Sequence, residues 1–350
     1  MGLLEKIRGS RCTTCMGMEL SASAVKIAIL TRKGERIILK RGLTSPISKI
    51  ALSMNPGKRE TIGKQITAIW RSAEIEERKV RVSLPGKLTF IGRMKVPISN
   101  SDNIERYILT TIEKRASMID SEDIVIDYFI YSKYRDELDI LYIIVKKDVI
   151  EFYQDIFAHG ELELVSIQST PLALANITNV NYPKDMVDLL FIVVDIGAYE
   201  SNLIAMKDNK IVSNVSLDIG GSLVTNNLSN ETGLSFKDAE KMKITGKGDE
   251  KVLRESAYQL ALQLKEGIER CIKDAEYFLG YEERIEAIYL TGGASHTPFL
   301  LAELSSIIGV KVEHLLPIRK IELHPNLNPT KIYDISPQLS VAMGTALSGI

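Results

Sequence analysis

A carboxylate followed by a turn of small residues ends one of the most apolar stretches of the chain. Asp195 directly follows the apolar run 189–194, and Gly197 and Ala198 come next. Backbone N–H groups in a turn with so little side chain can approach a bound anion closely, and the carboxylate can orient a metal ion or its water. The pattern indicates a site for a phosphate and its Mg²⁺. The alternative is a buried hairpin in which Asp195 only caps the turn.

The same pattern occurs a second time, near the N-terminus. Glu19 lies 176 residues before Asp195 (195 − 19 = 176), and the same offset pairs Ser21 with Gly197. The residues that follow Glu19 again form a short turn and an apolar run. Because the offset is about half of the 350 residues, it predicts two similar lobes, each contributing one phosphate-facing hairpin to a shared cleft.

Three further groups lie in the second half of the chain. Glycine pairs stand at 220–221, where a helix is predicted to begin, and at 292–293, after the apolar strand 285–290. Such pairs let the backbone approach a flat or anionic ligand. Glu240 and Lys243 are three residues apart and therefore share one helical face. Each group alone also fits a structural turn or a solvated ion pair.

The elements that must position these groups predict an α/β protein of two lobes. After an N-terminal tail, residues 1–16, the first lobe is predicted to span 17–188 and the second 189–350. Within the first, residues 80–170 form an insert with its own strands and helices. The insert holds no Asp/His/Cys grouping suited to catalysis, so we interpret it as a binding module. Within the second, a small helical subdomain is predicted at about 232–284.

Composition narrows the class of protein. Hydrophobic residues make up 45% and charged residues 25%, as in ordinary soluble globular chains. A net charge of −1 argues against general nucleic-acid binding. The apolar runs are shorter than the roughly 18 residues of a membrane-spanning helix, and the first residues contain no signal-peptide core. We therefore expect a cytoplasmic protein that reaches a membrane only through a partner.

Cysteine and histidine usage predicts no metal site. Cys12 and Cys15 form a lone C-x-x-C pair, and no second pair stands at a zinc-ligand spacing. We interpret these two cysteines as free thiols in a mobile N-terminal tail. The four histidines are scattered along the chain and form no ligand spacing.

The order of these motifs resembles that of the actin-like ATPase superfamily. Within it, the chain is similar to the PilM family of type IV pilus assembly proteins, which are relatives of FtsA. The resemblance runs from about residue 17 to 349 and is strongest at 220–243 and 337–349. It implies the actin-like fold, with two lobes around an interlobe nucleotide cleft. It also places the insert where FtsA and PilM carry an α+β subdomain that actin has elsewhere.

The resemblance implies that ATP with Mg²⁺ occupies the cleft, with Lys26 as the superfamily's phosphate-binding lysine. Asp195 would hold the metal through Mg-ATP, and Glu19 would share in orienting the metal or a water. The implied cofactor-binding residues belong to the two phosphate loops, the adenosine motif and the ribose-flanking helix: Ser21, Ser23, Lys26, Asp195, Gly197, Ala198, Ser201, Gly220, Gly221, Glu240, Lys243, Gly292, Gly293 and Ala294.

The first phosphate loop departs from the superfamily pattern. Glu19 stands where Asp is usual, which extends the carboxylate by about 1.5 Å, and Ser21 stands where Gly is usual. One lost charge-assisted phosphate contact costs roughly 1.5–3 kcal/mol, a factor of ten or more in affinity. The loop is therefore interpreted as degenerate. A weak ATPase and a nucleotide-binding protein that does not hydrolyse ATP both stay open.

The resemblance also implies a partner, PilN. This inner-membrane protein carries a short cytoplasmic N-terminal peptide, which the family binds in a groove between the first lobe and the insert. The chain would then be peripheral at the inner membrane, with other pilus platform proteins and a second copy of itself as further candidate partners. Two alternatives remain: a small-molecule kinase of the same superfamily, and the cytoplasmic platform protein of a type II secretion system.

Overall fold

The computed structural model describes residues 13–47, 56–113, 123–182 and 188–350. The strands are β1 (Thr14–Leu20), β2 (Ala24–Lys33), β3 (Arg36–Pro46), β4 (Lys79–Leu84), β5 (Thr89–Pro97), β6 (Ile124–Tyr134), β7 (Glu137–Lys146), β8 (Glu163–Ser169), β9 (Leu190–Ile196), β10 (Ser201–Lys207), β11 (Lys210–Leu217), β12 (Ile285–Thr291), β13 (Val312–His314) and β14 (Glu322–Leu323). The helices are α1 (Arg59–Ser72), α2 (Ile104–Glu113), α3 (Lys147–His159), α4 (Thr170–Asn181), α5 (Gly221–Thr232), α6 (Phe236–Thr245), α7 (Glu250–Leu279), α8 (Leu300–Ile308), α9 (Pro329–Ile335) and α10 (Ser340–Leu347).

Two sheets repeat one strand order and confirm the two-lobed α/β prediction. The first sheet runs β14-β3-β2-β1-β4-β8, and the second runs β11-β10-β9-β12-β13. In each, three antiparallel strands are followed by two strands that join in parallel. Each first hairpin pairs the carboxylate with the residue seven positions later: Glu19 with Lys26, and Asp195 with Asn202. The offset of 176 residues is therefore a repeat of backbone structure.

The central strands are apolar on both faces because helices cover both sides. All seven residues of β9 are buried, as expected for a strand sandwiched between layers. The 30-residue helix α7 packs a buried stripe against the second sheet. Its N-terminus is capped by Asp249, which accepts hydrogen bonds from the backbone N–H groups of Lys251 and Val252. The predicted subdomain at about 232–284 contains this helix and α6, and the buried apolar side chains of both belong to the same core as the second sheet.

The end of the chain returns to the first lobe. Strand β14 pairs with β3, and α10 packs into the first lobe's core. An ideal Cβ on Gly17 would lie 2.0 Å from the carbonyl oxygen of Ala342, and one on Gly344 would lie 1.9 Å from that of Ala173. Glycine at both positions lets α10 lie directly against β1 and α4. Residues from about Leu315 onward therefore pack with the first lobe, although they follow the second in sequence.

The insert is narrower than the predicted 80–170. Strands β4 and β8 at its two ends belong to the six-stranded sheet, and α3 packs in the first lobe's core. The unit with a core of its own is the three-stranded sheet β5-β7-β6 covered by α2. Its buried apolar residues are Val96, Ile104, Ile108, Ile112, Ile126, Leu138, Ile140, Tyr142 and Ile144.

The prediction that Cys15 is a free thiol in a mobile tail is wrong. Cys15 is buried in β1, at 3% exposure, and it is disulfide-bonded. Strand β1 begins at Thr14, and the next four residues, 15–18, are all buried, so the strand starts within the predicted tail. Cys12 and most of the predicted tail lie outside the described residues.

Candidate functional site

A cleft of about 540 Å³ opens between the two lobes. Its walls come from the β1–β2 turn, the β9–β10 turn, the C-terminal end of β12, helix α6 and the segment before α10. Most of the residues singled out from the sequence meet here, although the first and the last are 271 positions apart (294 − 23 = 271). Those lining the cleft are Ser23, Lys26, Gly197, Ala198, Glu240, Lys243, Gly292, Gly293 and Ala294.

A smaller chamber of about 60 Å³ adjoins the cleft and shares Ser23, Gly197 and Ala198 with it. Carboxylates and the two turns surround this chamber. Its other lining residues are Glu19, Leu20, Ser21, Ala22, Pro85, Lys87, Thr170, Asp195, Tyr199, Glu200 and Asn202. The two carboxylates that the sequence repeat paired, Glu19 and Asp195, therefore face one space.

Lys26 and Glu19 form a buried ion pair across the first hairpin. The Nζ of Lys26 donates to Oε1 of Glu19 at 2.6 Å, and the two side chains are 8% and 12% exposed. Burial alone would lower the pKa of Lys26, but the charges of Glu19 and Asp195 raise it above its ordinary value. Lys26 is therefore a firmly protonated cation. The second oxygen of Glu19, Oε2, is buried without a hydrogen-bond partner among the described residues.

Asp195 is an unusually weak acid for an aspartate. Its residue is 5% exposed, and burial, followed by the charge of Glu19, raises its pKa to about 7, while Lys26 opposes the shift. A hydrogen bond with Asn202 also favours the charged form. Asp195 thus changes its charge near neutral pH. When it is charged, a cation or a proton must neutralise the negative charge that it adds beside Glu19.

Glu200 adds a third carboxylate to the chamber. Burial raises its pKa, and the charge of Lys87 opposes that rise. Its Oε2 lies 3.6 Å from the Nζ of Lys87, while its Oε1 is buried and without a partner in the described part of the chain. Lys87 belongs to the first lobe, so this contact spans the two lobes.

Ser21 makes local contacts. Its Oγ donates to the carbonyl oxygen of Ala24 at 2.9 Å and accepts from the N–H of the same residue at 3.1 Å. The hydroxyl thereby closes the β1–β2 turn, in the manner of a serine turn motif. The side chain that the sequence suggested as a defect of the loop stabilises its turn.

Three predicted residues lie outside both the cleft and the chamber. Ser201 is fully buried, and its Oγ donates to the carbonyl oxygen of Ile219 at 2.8 Å. The N–H of Gly221 donates to the carbonyl oxygen of Gly197 at 2.9 Å. An ideal Cβ on Gly220 would lie 2.4 Å from the same oxygen. Gly220 and Gly221 therefore pack against the backbone of the β9–β10 turn and hold it in place.

The helix residues Glu240 and Lys243 belong to one hydrogen-bonded network at the wall of the cleft. The Nζ of Lys243 donates to Oε2 of Glu240 at 2.7 Å, to Oγ1 of Thr225 at 3.0 Å and to the carbonyl oxygen of Gly221 at 3.1 Å. Thr225 also donates to Glu240. With all three donors of Lys243 engaged, the network fixes α6 against α5, and the carboxylate of Glu240, 37% exposed, is its more accessible member.

The two glycines after β12 differ in their surroundings. Gly292 has φ of +90°, and an ideal Cβ on it would lie 2.4 Å from Oδ1 of Asp195. Only glycine fits a backbone in that conformation so close to a carboxylate. Gly293 faces the cleft, and the nearest atom to its ideal Cβ is Cγ of Gln338, at 3.6 Å.

Several residues that line the chamber or the cleft were not predicted from the sequence. Lys87 and Glu200 complete the chamber, and Ile244, Tyr333 and Gln338 line the cleft. Lys87 comes from a segment remote from every recognised motif, and no local pattern marks it, whereas Tyr333 lies just before the stretch 337–349. The repeat offset could have identified one further member, Asn202, because it occupies in the second hairpin the position of Lys26 in the first.

A separate groove of about 490 Å³ lies between the insert and the first lobe. The insert contributes alternate residues of β6, among them Val125 and Phe129, together with Ile143 and Val145 of β7. The first lobe contributes Leu84, Ile150, Ile167, Gln168, Ser169, Leu172, Ala175, Asn176 and Asn179. The groove is therefore mostly apolar, with amide and hydroxyl groups along one wall.

Two sheets with the same strand order lie on either side of one cleft, which is lined by both hairpins and by the Gly292-Gly293 turn. This arrangement defines an actin-like ATPase fold. The family model "Type IV pilus assembly protein PilM" matches residues 17–350. The chain belongs to this PilM family, and the alternatives of a small-molecule kinase and of a type II secretion platform protein are not favoured.

Solved structures agree with the fold. The structure titled "PilM-PilN type IV pilus biogenesis complex" aligns with a TM-score of 0.82 at 20% identity, over 97% of this chain and 99% of that chain. The ethanolamine utilization protein EutJ from Carboxydothermus hydrogenoformans aligns with a TM-score of 0.58 at 16% identity, over 99% and 94% of the two chains. None of the helices in the described residues has the length and apolar character to cross a membrane.

Proposed function

We propose that this chain is a cytoplasmic scaffold of type IV pilus assembly. In this proposal the interlobe cleft binds a nucleotide, and the groove between insert and first lobe captures the cytoplasmic N-terminal peptide of a PilN-like inner-membrane protein. The captured peptide would hold the chain at the inner membrane. The proposal draws on membership of the PilM family and on the PilM–PilN complex that shares the fold.

The groove is the proposed binding site for the partner's peptide because the edge strands of two sheets border it. Among the described strands, β8 ends the six-stranded sheet and β6 ends the three-stranded sheet, so both present backbone groups without a neighbouring strand. An extended peptide can add to such an edge through main-chain hydrogen bonds, with alternate side chains entering apolar pockets.

Buried polar atoms along the groove favour a peptide over a purely apolar ligand. Oε1 of Gln168, Oγ of Ser169 and Oδ1 of Asn179 are buried with no hydrogen-bond partner within the described ranges. A buried polar atom without a partner costs about 1–3 kcal/mol. Rotation of these side chains toward the groove would bring the acceptors to the donors of a bound peptide and recover that free energy.

A matched pair on β6 tests the groove. Phe129 lines the groove and is 44% exposed, whereas its neighbour Ile130 points to the other face of the strand and is 52% exposed. Titration with a synthetic peptide of the partner's cytoplasmic N-terminus should show binding to the unaltered protein and to Ile130→Asp. Phe129→Asp should lose at least tenfold in affinity, since it places a charge in an apolar pocket.

Hydrogen exchange locates the peptide independently of any substitution. We expect protection on peptide binding at β6 and β8, the two strands that border the groove. Protection confined to 220–350, or the absence of binding by the unaltered protein, would contradict the peptide site.

The proposal that the cleft binds ATP with Mg²⁺ draws on the volume of the cleft and on the residues that line it. The cleft's volume lies within the range of small-molecule sites, and residues of both hairpin turns line it, Ser23 and Ala24 from the first and Gly197 and Ala198 from the second. Among the described residues, no three or more His, Cys, Asp or Glu side chains are placed so that they could hold a metal ion together. Mg²⁺ would therefore arrive with the phosphates, keep waters as ligands and contact at most one or two carboxylates, of which Asp195 and Glu19 are the candidates. Bound Mg²⁺ would neutralise phosphate charge.

An equilibrium titration with labelled ATP, with and without Mg²⁺, tests this half. We expect saturable binding that weakens without the metal, because the chamber already holds three carboxylates. Binding with turnover would indicate an ATPase, and binding without turnover a nucleotide-dependent scaffold. The absence of saturable binding would leave the peptide site as the functional centre.

A further inference from the structure

One short segment contributes side chains to both the groove and the chamber. Within residues 84–89, Leu84 and Thr89 line the groove, whereas Pro85 and Lys87 line the chamber. The segment connects β4 of the first lobe to β5 of the insert. The two sites therefore share a wall.

The second lobe holds this segment in close contact. An ideal Cβ on Gly86 would lie 2.1 Å from Oδ1 of Asn202, so the backbone here packs directly against β10. The next residue, Lys87, extends its Nζ to 3.2 Å from Oδ1 of Asp218 and 3.6 Å from Oε2 of Glu200. Lys87 is thus a cation of the first lobe that two carboxylates of the second lobe hold at the chamber.

We propose that Lys87 couples occupancy of the chamber to peptide binding in the groove. This inference rests on the proposed function, because it takes a nucleotide and a peptide as the two ligands. A phosphate in the chamber meets the ammonium group of Lys87 and adds a contact between the lobes. The segment 84–89 is then held in the conformation that lines the groove, so the peptide meets a wall that is already ordered.

Thermodynamic linkage requires that the coupling between the two ligands be reciprocal. If Mg-ATP increases the affinity for the peptide by some factor, the peptide must increase the affinity for Mg-ATP by the same factor. Lys87 is half exposed, and ion pairs in such positions support an effect of only about two- to fivefold. We therefore expect the peptide's Kd to fall two- to fivefold in saturating Mg-ATP.

The experiment is a set of calorimetric titrations of the whole chain with the synthetic N-terminal peptide, without and with saturating Mg-ATP. The quantity compared between variants is the peptide's Kd without Mg-ATP divided by its Kd with Mg-ATP. A substitution that weakens peptide binding equally in both titrations leaves this ratio unchanged. In Lys87→Ala the ratio should fall to one, and in Lys87→Arg it should be retained. Lys95→Ala is the matched control, because Lys95 is an insert lysine that pairs with Glu137 at 3.9 Å and lines neither site.

The outcomes separate this inference from the proposed function. If the unaltered protein binds both ligands with a ratio of one, or if Lys87→Ala keeps the ratio of the unaltered protein, the coupling is overturned while the proposed function stands. If the unaltered protein fails to bind the peptide or Mg-ATP at all, the proposed function fails and the coupling falls with it. Loss of the ratio in Lys95→Ala as well would also overturn the role of Lys87.

Discussion

Replacing Asp195 by Asn should remove a specific pH dependence of the protein's stability. Burial and the charge of Glu19 raise the pKa of Asp195 from 3.8 to about 7. The folded protein therefore holds the proton of Asp195 more tightly than the unfolded chain does. Between about pH 4 and pH 7 the folded state binds more protons, so the free energy of unfolding falls as the pH rises through this window and levels off above it.

The size of the effect follows from the same shift. At about 1.36 kcal/mol per pH unit, the interval from 3.8 to about 7 corresponds to about 4 kcal/mol. No reduction for solvent screening is needed, because the residue is 5% exposed. In Asp195→Asn the group is neutral at every pH, while Lys26 keeps its ion pair with Glu19. The variant should match the unaltered protein near pH 4 and exceed it in stability by up to about 4 kcal/mol at pH 8.

Urea unfolding followed by circular dichroism, at several pH values from 4 to 8, measures this difference. The control is Glu35→Gln, which removes an exposed carboxylate in the β2–β3 turn, away from the chamber, and should leave the pH dependence of the unaltered protein in place. Comparing variants cancels the contribution of Glu200, whose pKa is also raised by burial. Parallel pH profiles for the unaltered protein and Asp195→Asn would refute the assignment of Asp195 as a buried group that titrates near neutral pH.

Three further substitutions test the site and the fold. Gly293→Tyr should abolish ATP binding in calorimetry without lowering the melting temperature, because its Cβ has room and its ring would fill the cleft; unchanged ATP affinity would remove Gly293 from the site. Gly344→Ala should destabilise the protein by roughly 1–3 kcal/mol in urea unfolding, since the added methyl overlaps the carbonyl oxygen of Ala173, and an unaffected midpoint would contradict that packing. Ser21→Ala should cost about 1 kcal/mol by the same assay through loss of its turn hydrogen bonds, and unchanged or increased stability would contradict the role of the hydroxyl in closing the turn.

The features that sequence patterns predicted are those encoded locally. The two hairpins were found because each is a run of apolar residues, a carboxylate and a small-residue turn, and all of these are adjacent in sequence. The family resemblance added the order of the motifs and with it the actin-like fold. The glycine pair 292–293 was placed correctly at a strand end, but the sequence could not tell which member contacts Asp195 and which faces the cleft.

The features that were missed depend on which segments meet. Strands β4 and β8 have the same apolar pattern whether they join the insert's sheet or the first lobe's sheet, so the bounds of the insert could not be read from periodicity. The return of the chain to the first lobe after Leu315 is a matter of long-range packing. Lys87 has no motif, and only the approach of the two lobes places its ammonium group beside Glu200.

The two lobes repeat one backbone design but differ in how their hairpins are charged. In the first, the carboxylate of Glu19 pairs with Lys26 and is neutralised within its own hairpin. In the second, the equivalent partner of Asp195 is Asn202, an amide that can hydrogen-bond the carboxylate but cannot neutralise it. Burial, followed by the charge of Glu19, raises the pKa of Asp195, and Lys26 of the other hairpin is the cation that opposes this rise. The first hairpin therefore supplies a cation for its own carboxylate, whereas the second hairpin supplies none. We expect chemistry at this cleft to depend on Asp195.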